Sequence, residues 1–184
     1  NSACAAKDMV LEEQPDKKIA VIDSRSAGSE LVLLVKKICE LIESGADFET
    51  VVEKAELYSR HTHVVFALSS FNNLVKNGRM SKIVGFVANK LGFWGIGIGS
   101  EQGTIEIKQK IRGSKKALDA IIEDMKERGY NCGKVVISHC RNAEFAESVK
   151  SAIQSVWDKA EVKIVHARGL CSYYAEKGGL IIGF

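Results

Sequence analysis

The chain has 184 residues, 46% of them hydrophobic and 27% charged, enough for one large domain or two small ones around a core of ordinary size. Its 26 Lys and Arg are scattered among 23 Asp and Glu for a net charge of +3, which argues against nucleic acid as a partner. Five cysteines (Cys4, Cys39, Cys132, Cys140 and Cys171) form no CxxC pair and no zinc-like spacing; they predict free thiols in a cytoplasmic setting and no metal or other cofactor, and no apolar run is long enough to cross a membrane.

Residues 2–13 carry helical spacing from the outset (Ala5, Met9, Val10), and Gln14-Pro15-Asp16 ends the run. A chain that opens inside a helix is expected to be the remainder of a longer protein. Residues 18–23 (KIAVID) predict a short strand covered on both faces. The polar turn 24–29 leads into a helix over 31–43, which Gly45 stops. Asp47 is placed to cap a further helix running to about residue 60. Such a run is half of a parallel α/β layer. It asks for neighbouring strands that the first sixty residues do not hold.

A second region follows from residue 61. Strands are expected at 63–68, 93–98, 104–111, 134–138, 161–166 and in the tail 178–184, with a hairpin turn at Gln102-Gly103. Helices are expected at 69–76, 82–91, 114–128 and 143–157. The expected organisation is therefore α/β: an incomplete first domain over 1–60, and a second domain over 61–184 built on a mixed sheet with packed helices.

The candidate chemistry is thin. Ser24, Arg25, Ser26 and Ser29 sit between a predicted strand and a helix, where backbone N–H groups and hydroxyls can hold an anion; Ser26 or Ser29 could equally cap the helix. His61 and His63 share a face, but two ligands do not make a metal site. His139 and Cys140 are adjacent on extended backbone and point apart, which argues against a nucleophile–base pair. Gly95, Gly97 and Gly99 alternate along a strand and do not open a helix, so they are no dinucleotide fingerprint; a glycine face predicts close approach of another backbone or a slender ligand. Arg79 in an exposed turn could contact a partner or simply be solvated, and Tyr173 and Tyr174 could donate hydrogen bonds to a ligand or line a core rim. No P-loop, paired carboxylates or Ser–His–Asp order stands out. That inventory favours a binding protein over an enzyme.

Several segments together resemble the DegV family of bacterial fatty-acid-binding proteins. KIAVIDSRSAGS (18–29) resembles that family's V-x-D-S-x-S-A, and LSSFNNLVKNGRMSK (68–82) its L-x-x-L-x-x-G-G-R-I. Residues 97–116 resemble the following hairpin and R-x-x-K-A helix start, and GGLIIGF its closing G-A-L-G-L-A-F. The resemblance covers the whole chain and keeps motif order. It implies two α/β domains with a long-chain fatty acid between them, its tail in the second domain and its carboxylate at the interface. It implies a non-enzymatic carrier that presents the acyl group to a partner fatty acid kinase for phosphorylation, with peripheral membrane contact left open.

In that family an S-G-T-Y motif supplies hydroxyl ligands just before the first helix here, and Asn1-Ser2-Ala3 resembles its continuation. Most head-group ligands would then precede the chain. Ser24, Arg25, Ser26, Tyr173 and Tyr174 are the head-group candidates that remain. Many members also carry T-H-T-G-P-G near the terminus, where the histidine approaches the carboxylate; Tyr174 stands in that place. A phenol donates a hydrogen bond but carries no positive charge at neutral pH. The expected acyl-tail lining is Phe66, Leu68, Leu74, Ile83, Phe86, Val87, Leu91 and Ile98, residues equally suited to plain core, and Arg79 is the candidate partner contact. Two other readings stay open: a small-molecule transferase with an anion site after Asp23, and a protein-interaction module acting through Arg79.

Overall fold

The computed structural model describes residues 2–80 and 92–184, which divide into two compact units. Asn1–Ser24 and Leu34–His61 form the first; Arg25–Leu33 and Thr62–Phe184 form the second. The segment 25–33, expected within the first domain, thus belongs to the second unit.

In the first unit, α1 (Ser2–Glu13) buries none of its residues. Helix α2 (Ser29–Glu43) begins in the second unit and continues in the first. It ends as Gly45 predicts: Gly45 takes φ +82°, its N–H reaches Ile42 O, and Ala46 N–H reaches Leu41 O, the paired bonds of a Schellman stop. Asp47 then caps α3 (Phe48–Ser59), its carboxylate accepting from Thr50 N at 2.8 Å. The expected strand at 18–23 does not form. Its apolar run is strand-like, but a strand exists only through its ladder, and none of the six strands among the described residues pairs with it.

The second unit is built on a six-stranded mixed sheet in the order β3-β2-β1-β6-β4-β5. The strands are β1 (Val64–Leu68), β2 (Phe93–Gly99), β3 (Ile105–Arg112), β4 (Lys134–His139), β5 (Glu161–His166) and β6 (Leu180–Gly183). Only β4 and β5 run parallel, because a helix crosses between them; the remaining pairs are antiparallel. The α/β class and the mixed sheet are as the pattern predicts.

One face of the sheet carries the larger core. Val65, Ala67, Ile96, Val135, Ile137, Leu180 and Ile182 meet α5 (Ser114–Glu127) and α6 (Ala143–Val156) there. The edge strand β3 holds a bulge: Ile96 pairs with Gln109 but Gly97 with Ile107, so Lys108 is the extra residue. Lys108 reaches Asp124 (2.8 Å) and Glu127 (2.7 Å) on α5, and Arg128 closes on the other oxygen of Asp124, so this 3%-exposed carboxylate is fully paired.

The opposite face carries α4 (Asn72–Lys76) and α7 (Gly169–Ala175). Helix α4 is shorter than the expected 69–76, because Ser69 and Ser70 spend their hydroxyls on Lys177 O and Glu176 and Phe71 turns into the sheet. Helix α7 has no clear periodicity in its seven residues and is not foreseen. The expected helix at 82–91 lies outside the described residues.

Candidate functional site

The second face holds the chemistry worth weighing. Phe66, Leu68, Phe71, Leu74 and Ala175 form a buried layer, with Met80, Ile107, Cys140, Tyr174 and Ile181 packed against it. Strand alternation builds it: Phe66 and Leu68 point one way from β1, Val65 and Ala67 the other. Three of the expected tail-lining residues, Phe66, Leu68 and Leu74, come together here. Ile98 does not. It pairs with Val65 across β1 and β2, and paired residues share a face, so Ile98 belongs to the opposite side. Ile83, Phe86, Val87 and Leu91 lie outside the described residues.

The glycine face of β2 admits a neighbouring backbone, as expected, and two aromatic rings besides. A Cβ on Gly95 would stand 2.6 Å from Phe71 Cε2, and one on Gly97 would stand 2.5 Å from Phe66 Cε2. The space left by the missing side chains is taken by two of the protein's own rings and, at Gly97, by the Glu106 carbonyl of the neighbouring strand as well.

The turn before α2 packs against this layer. A Cβ on Gly28, at φ +68°, would stand 3.3 Å from Ile181 Cγ2 and 3.6 Å from Cys171 Sγ. Arg25 adopts φ +48° and donates from Nη1 to Glu101 O at 3.0 Å, reaching the tip of the β2–β3 hairpin. Ser26 Oγ donates to the Glu30 carboxylate, which also accepts from Thr62 Oγ1 at 3.0 Å. Ser29 is fully buried; its hydroxyl meets Ser138 Oγ (2.7 Å) and Ile181 O (2.7 Å), stitching the first turn of α2 to β4 and β6. Of the head-group candidates here, then, Arg25 and Ser26 are placed together in the second unit, whereas Ser24 belongs to the first. Burial raises the Glu30 carboxyl above its ordinary range; the Ser26 and Thr62 hydrogen bonds and the Arg128 charge act against that rise.

Helix α7 presents its two tyrosines edge to face, ring centroids 5.3 Å apart and planes at 70°. Tyr173 is exposed; its OH accepts from Asn77 Nδ2 at 2.9 Å and its carbonyl from Asn73 Nδ2 at 2.8 Å. Tyr174 lies partly buried against the apolar layer, and its hydroxyl has no hydrogen-bond partner among the described residues. Sequence reasoning missed Glu176. Its two carboxylate oxygens accept from Ser70 Oγ (2.6 Å) and Asn73 N (2.8 Å).

Arg79 is exposed at the end of α4. Gly78 (φ +66°) donates to Val75 O and the Arg79 N–H to Leu74 O, a Schellman stop that fixes the backbone and leaves the side chain outward.

His139 and His166 end the parallel pair β4 and β5, with ring centroids 4.5 Å apart. His139 is 3% exposed and its Nδ1 accepts from Asn142 N at 3.2 Å. Burial, and then the charge of His166, hold its pKa below the ordinary histidine value. The neutral ring is therefore the folded form, and the unfolded chain takes up the proton first as pH falls below about 6.5. Stability is expected to fall on acidification from pH 7 to pH 5.5, with a shallower slope in His139→Asn, read by urea unfolding at each pH; equal slopes would contradict it. Among the described residues no three His, Cys, Asp or Glu side chains gather as a metal site, and no helix is long and apolar enough to cross a membrane.

A sequence model of the DegV family, described as uncharacterised proteins, matches residues 1–184. A DegV domain-containing protein of Streptococcus pneumoniae is 44% identical over 184 residues, covering 100% of this chain and 66% of the relative. The chain thus spans about two thirds of the length of the curated relatives it matches. Among solved structures, the S. pneumoniae fatty acid kinase B3 protein loaded with linoleic acid superposes with a TM-score of 0.97 at 44% identity, over 100% of this chain and 66% of that one. A DegV family protein of Eubacterium eligens loaded with heptadecanoic acid gives 0.95 at 38% identity, with the same coverage.

Proposed function

Because the chain belongs to the DegV family, we propose that it takes part in binding a long-chain fatty acid, as a carrier and not as an enzyme. The observation that carries this reading is the apolar layer of Phe66, Leu68, Leu74 and Tyr174 beside a polar turn, in a chain whose structural relatives were loaded with linoleic and heptadecanoic acids. Each buried CH₂ contributes about 0.8 kcal/mol, so a long acyl chain needs few polar contacts. In our reading the tail lies along Phe66, Leu68 and Leu74, with Ile83, Phe86, Val87 and Leu91 as further lining. The carboxylate is met by Ser24, Arg25 and Ser26 and by the Tyr174 hydroxyl; Tyr173, already bonded to Asn77, has the weaker claim. The whole protein would present the acyl group to a partner kinase in the cytoplasm, with Arg79 offered to that partner.

Extraction and mass spectrometry of purified protein test the ligand class. A co-purifying long-chain fatty acid supports the carrier, and a phosphorylated metabolite in its place supports a transferase. For the head group, Tyr174→Phe removes one hydrogen bond to the carboxylate and is expected to weaken fatty-acid binding by about 1.5–3 kcal/mol, roughly ten- to a hundredfold. Unchanged affinity would exclude Tyr174 as a donor.

A further inference from the structure

Glu176 adopts φ 53° and ψ 178°, a backbone region that essentially only glycine occupies without strain. Such a conformation persists only where the surroundings hold it. Here the holder is visible: one carboxylate oxygen takes the Ser70 hydroxyl and the other the Asn73 amide, in the first turn of α4. The two carboxylate oxygens of Glu176 thus tie it to Ser70, just before α4, and to Asn73 within it. Two further bonds join the same helices, Asn73 Nδ2 to Tyr173 O and Asn77 Nδ2 to Tyr173 OH. The loop behind is pinned as well, with Asn142 Nδ2 on Gly178 O and Cys140 N on Gly179 O.

The apolar layer takes Leu74 from α4, and Tyr174 and Ala175 from α7, together with Phe66 and Leu68. The strained residue therefore joins two short helices that together form one wall of the apolar layer. Backbone strain at Glu176 favours release, and its two hydrogen bonds oppose it.

We propose that Glu176 is a positioning residue that clasps α4 to α7 and thereby sets the rate at which an acyl ligand enters and leaves the apolar layer. The proposal rests on the fatty-acid reading above. A clasp of this kind acts on opening, which entry and exit share. Weakening it speeds both and leaves the equilibrium affinity nearly unchanged, whereas loss of a lining contact changes affinity through exit alone.

The test uses the full chain, a fluorescent long-chain fatty acid in stopped flow, and amide hydrogen exchange over residues 72–76. Glu176→Gln keeps the shape and the strain but loses the charge-assisted acceptor. Glu176→Gly removes both the strain and the clasp. Exchange is expected to rise in both, and association and dissociation rates to rise together, by about tenfold in Glu176→Gly, with Kd within about threefold of wild type. Wild-type rates in both variants would overturn the proposal while the fatty-acid reading stands. A change in dissociation alone would also overturn it, making Glu176 a lining residue. If wild-type protein binds no probe, the fatty-acid reading fails and the proposal with it. The exchange arm still reports whether the clasp exists.

Discussion

Gly95→Ala is expected to destabilise the second unit by about 1–3 kcal/mol, and Phe71→Leu in the same chain to recover part of that loss. The three atoms nearest the added Cβ all belong to the Phe71 ring, with Cε2 at 2.6 Å and Cζ nearer still. That ring is 1% exposed and has no free space to retreat into, so the methyl and the ring compete for one volume. Phe71→Leu alone costs stability, since it leaves a void. The two losses should therefore not add. Gly97→Ala provides the contrast. Its Cβ would collide with the Phe66 ring and also with the Glu106 carbonyl on the neighbouring strand. A ring can be trimmed, but a ladder carbonyl cannot, so Phe66→Leu should rescue Gly97→Ala much less. Urea unfolding of the two double-mutant cycles measures this, and equal coupling in both would refute it.

Gly183→Ala is expected to be more damaging, about 3 kcal/mol or more. The obstruction is main chain: Ser29 C at 2.6 Å and Glu30 Cα at 2.7 Å from the added Cβ. The start of α2 lies directly on β6 there, held by the Ser29 hydroxyl between Ser138 and Ile181. No rotamer change relieves such a clash, so either α2 lifts away or β6 leaves the ladder. Ser29→Ala removes the hydrogen bonds without adding bulk and should cost less, about 1–2 kcal/mol. A denaturant midpoint for Gly183→Ala at or above that of Ser29→Ala would contradict the geometry.

Most elements of the second unit are legible in the sequence because their signals are local. The Gln102-Gly103 turn with alternation on either side marks the hairpin, and in the first unit Gly45 with Asp47 marks one helix end and the next helix start. What escaped is non-local. Residues 18–23 have strand composition, but composition does not supply a ladder partner. The Ile98 side chain looks like any other lining residue until its register with Val65 puts it on the far face. Glu176 carries no motif at all: its role depends on Asn73, 103 positions away. The glycine alternation announces close approach, but which groups approach, Phe71 at Gly95 and Phe66 with the Glu106 carbonyl at Gly97, depends on strand register and the path of residue 71. The apolar layer was thus half legible, as residue types and not as a set.

The position of β6 bears on how the second unit folds. It lies between β1 and β4, and it is the latest strand in sequence order. The hairpin side, β3-β2-β1, and the crossover side, β4-β5, can each form from contacts closer in sequence, but neither pairs with the other directly. They become one sheet only when residues 180–183 insert between two waiting edges. During synthesis the unit must therefore pass through a stage with both of those edges open, bridged across more than a hundred residues at β1, a slow and association-prone step for a growing chain.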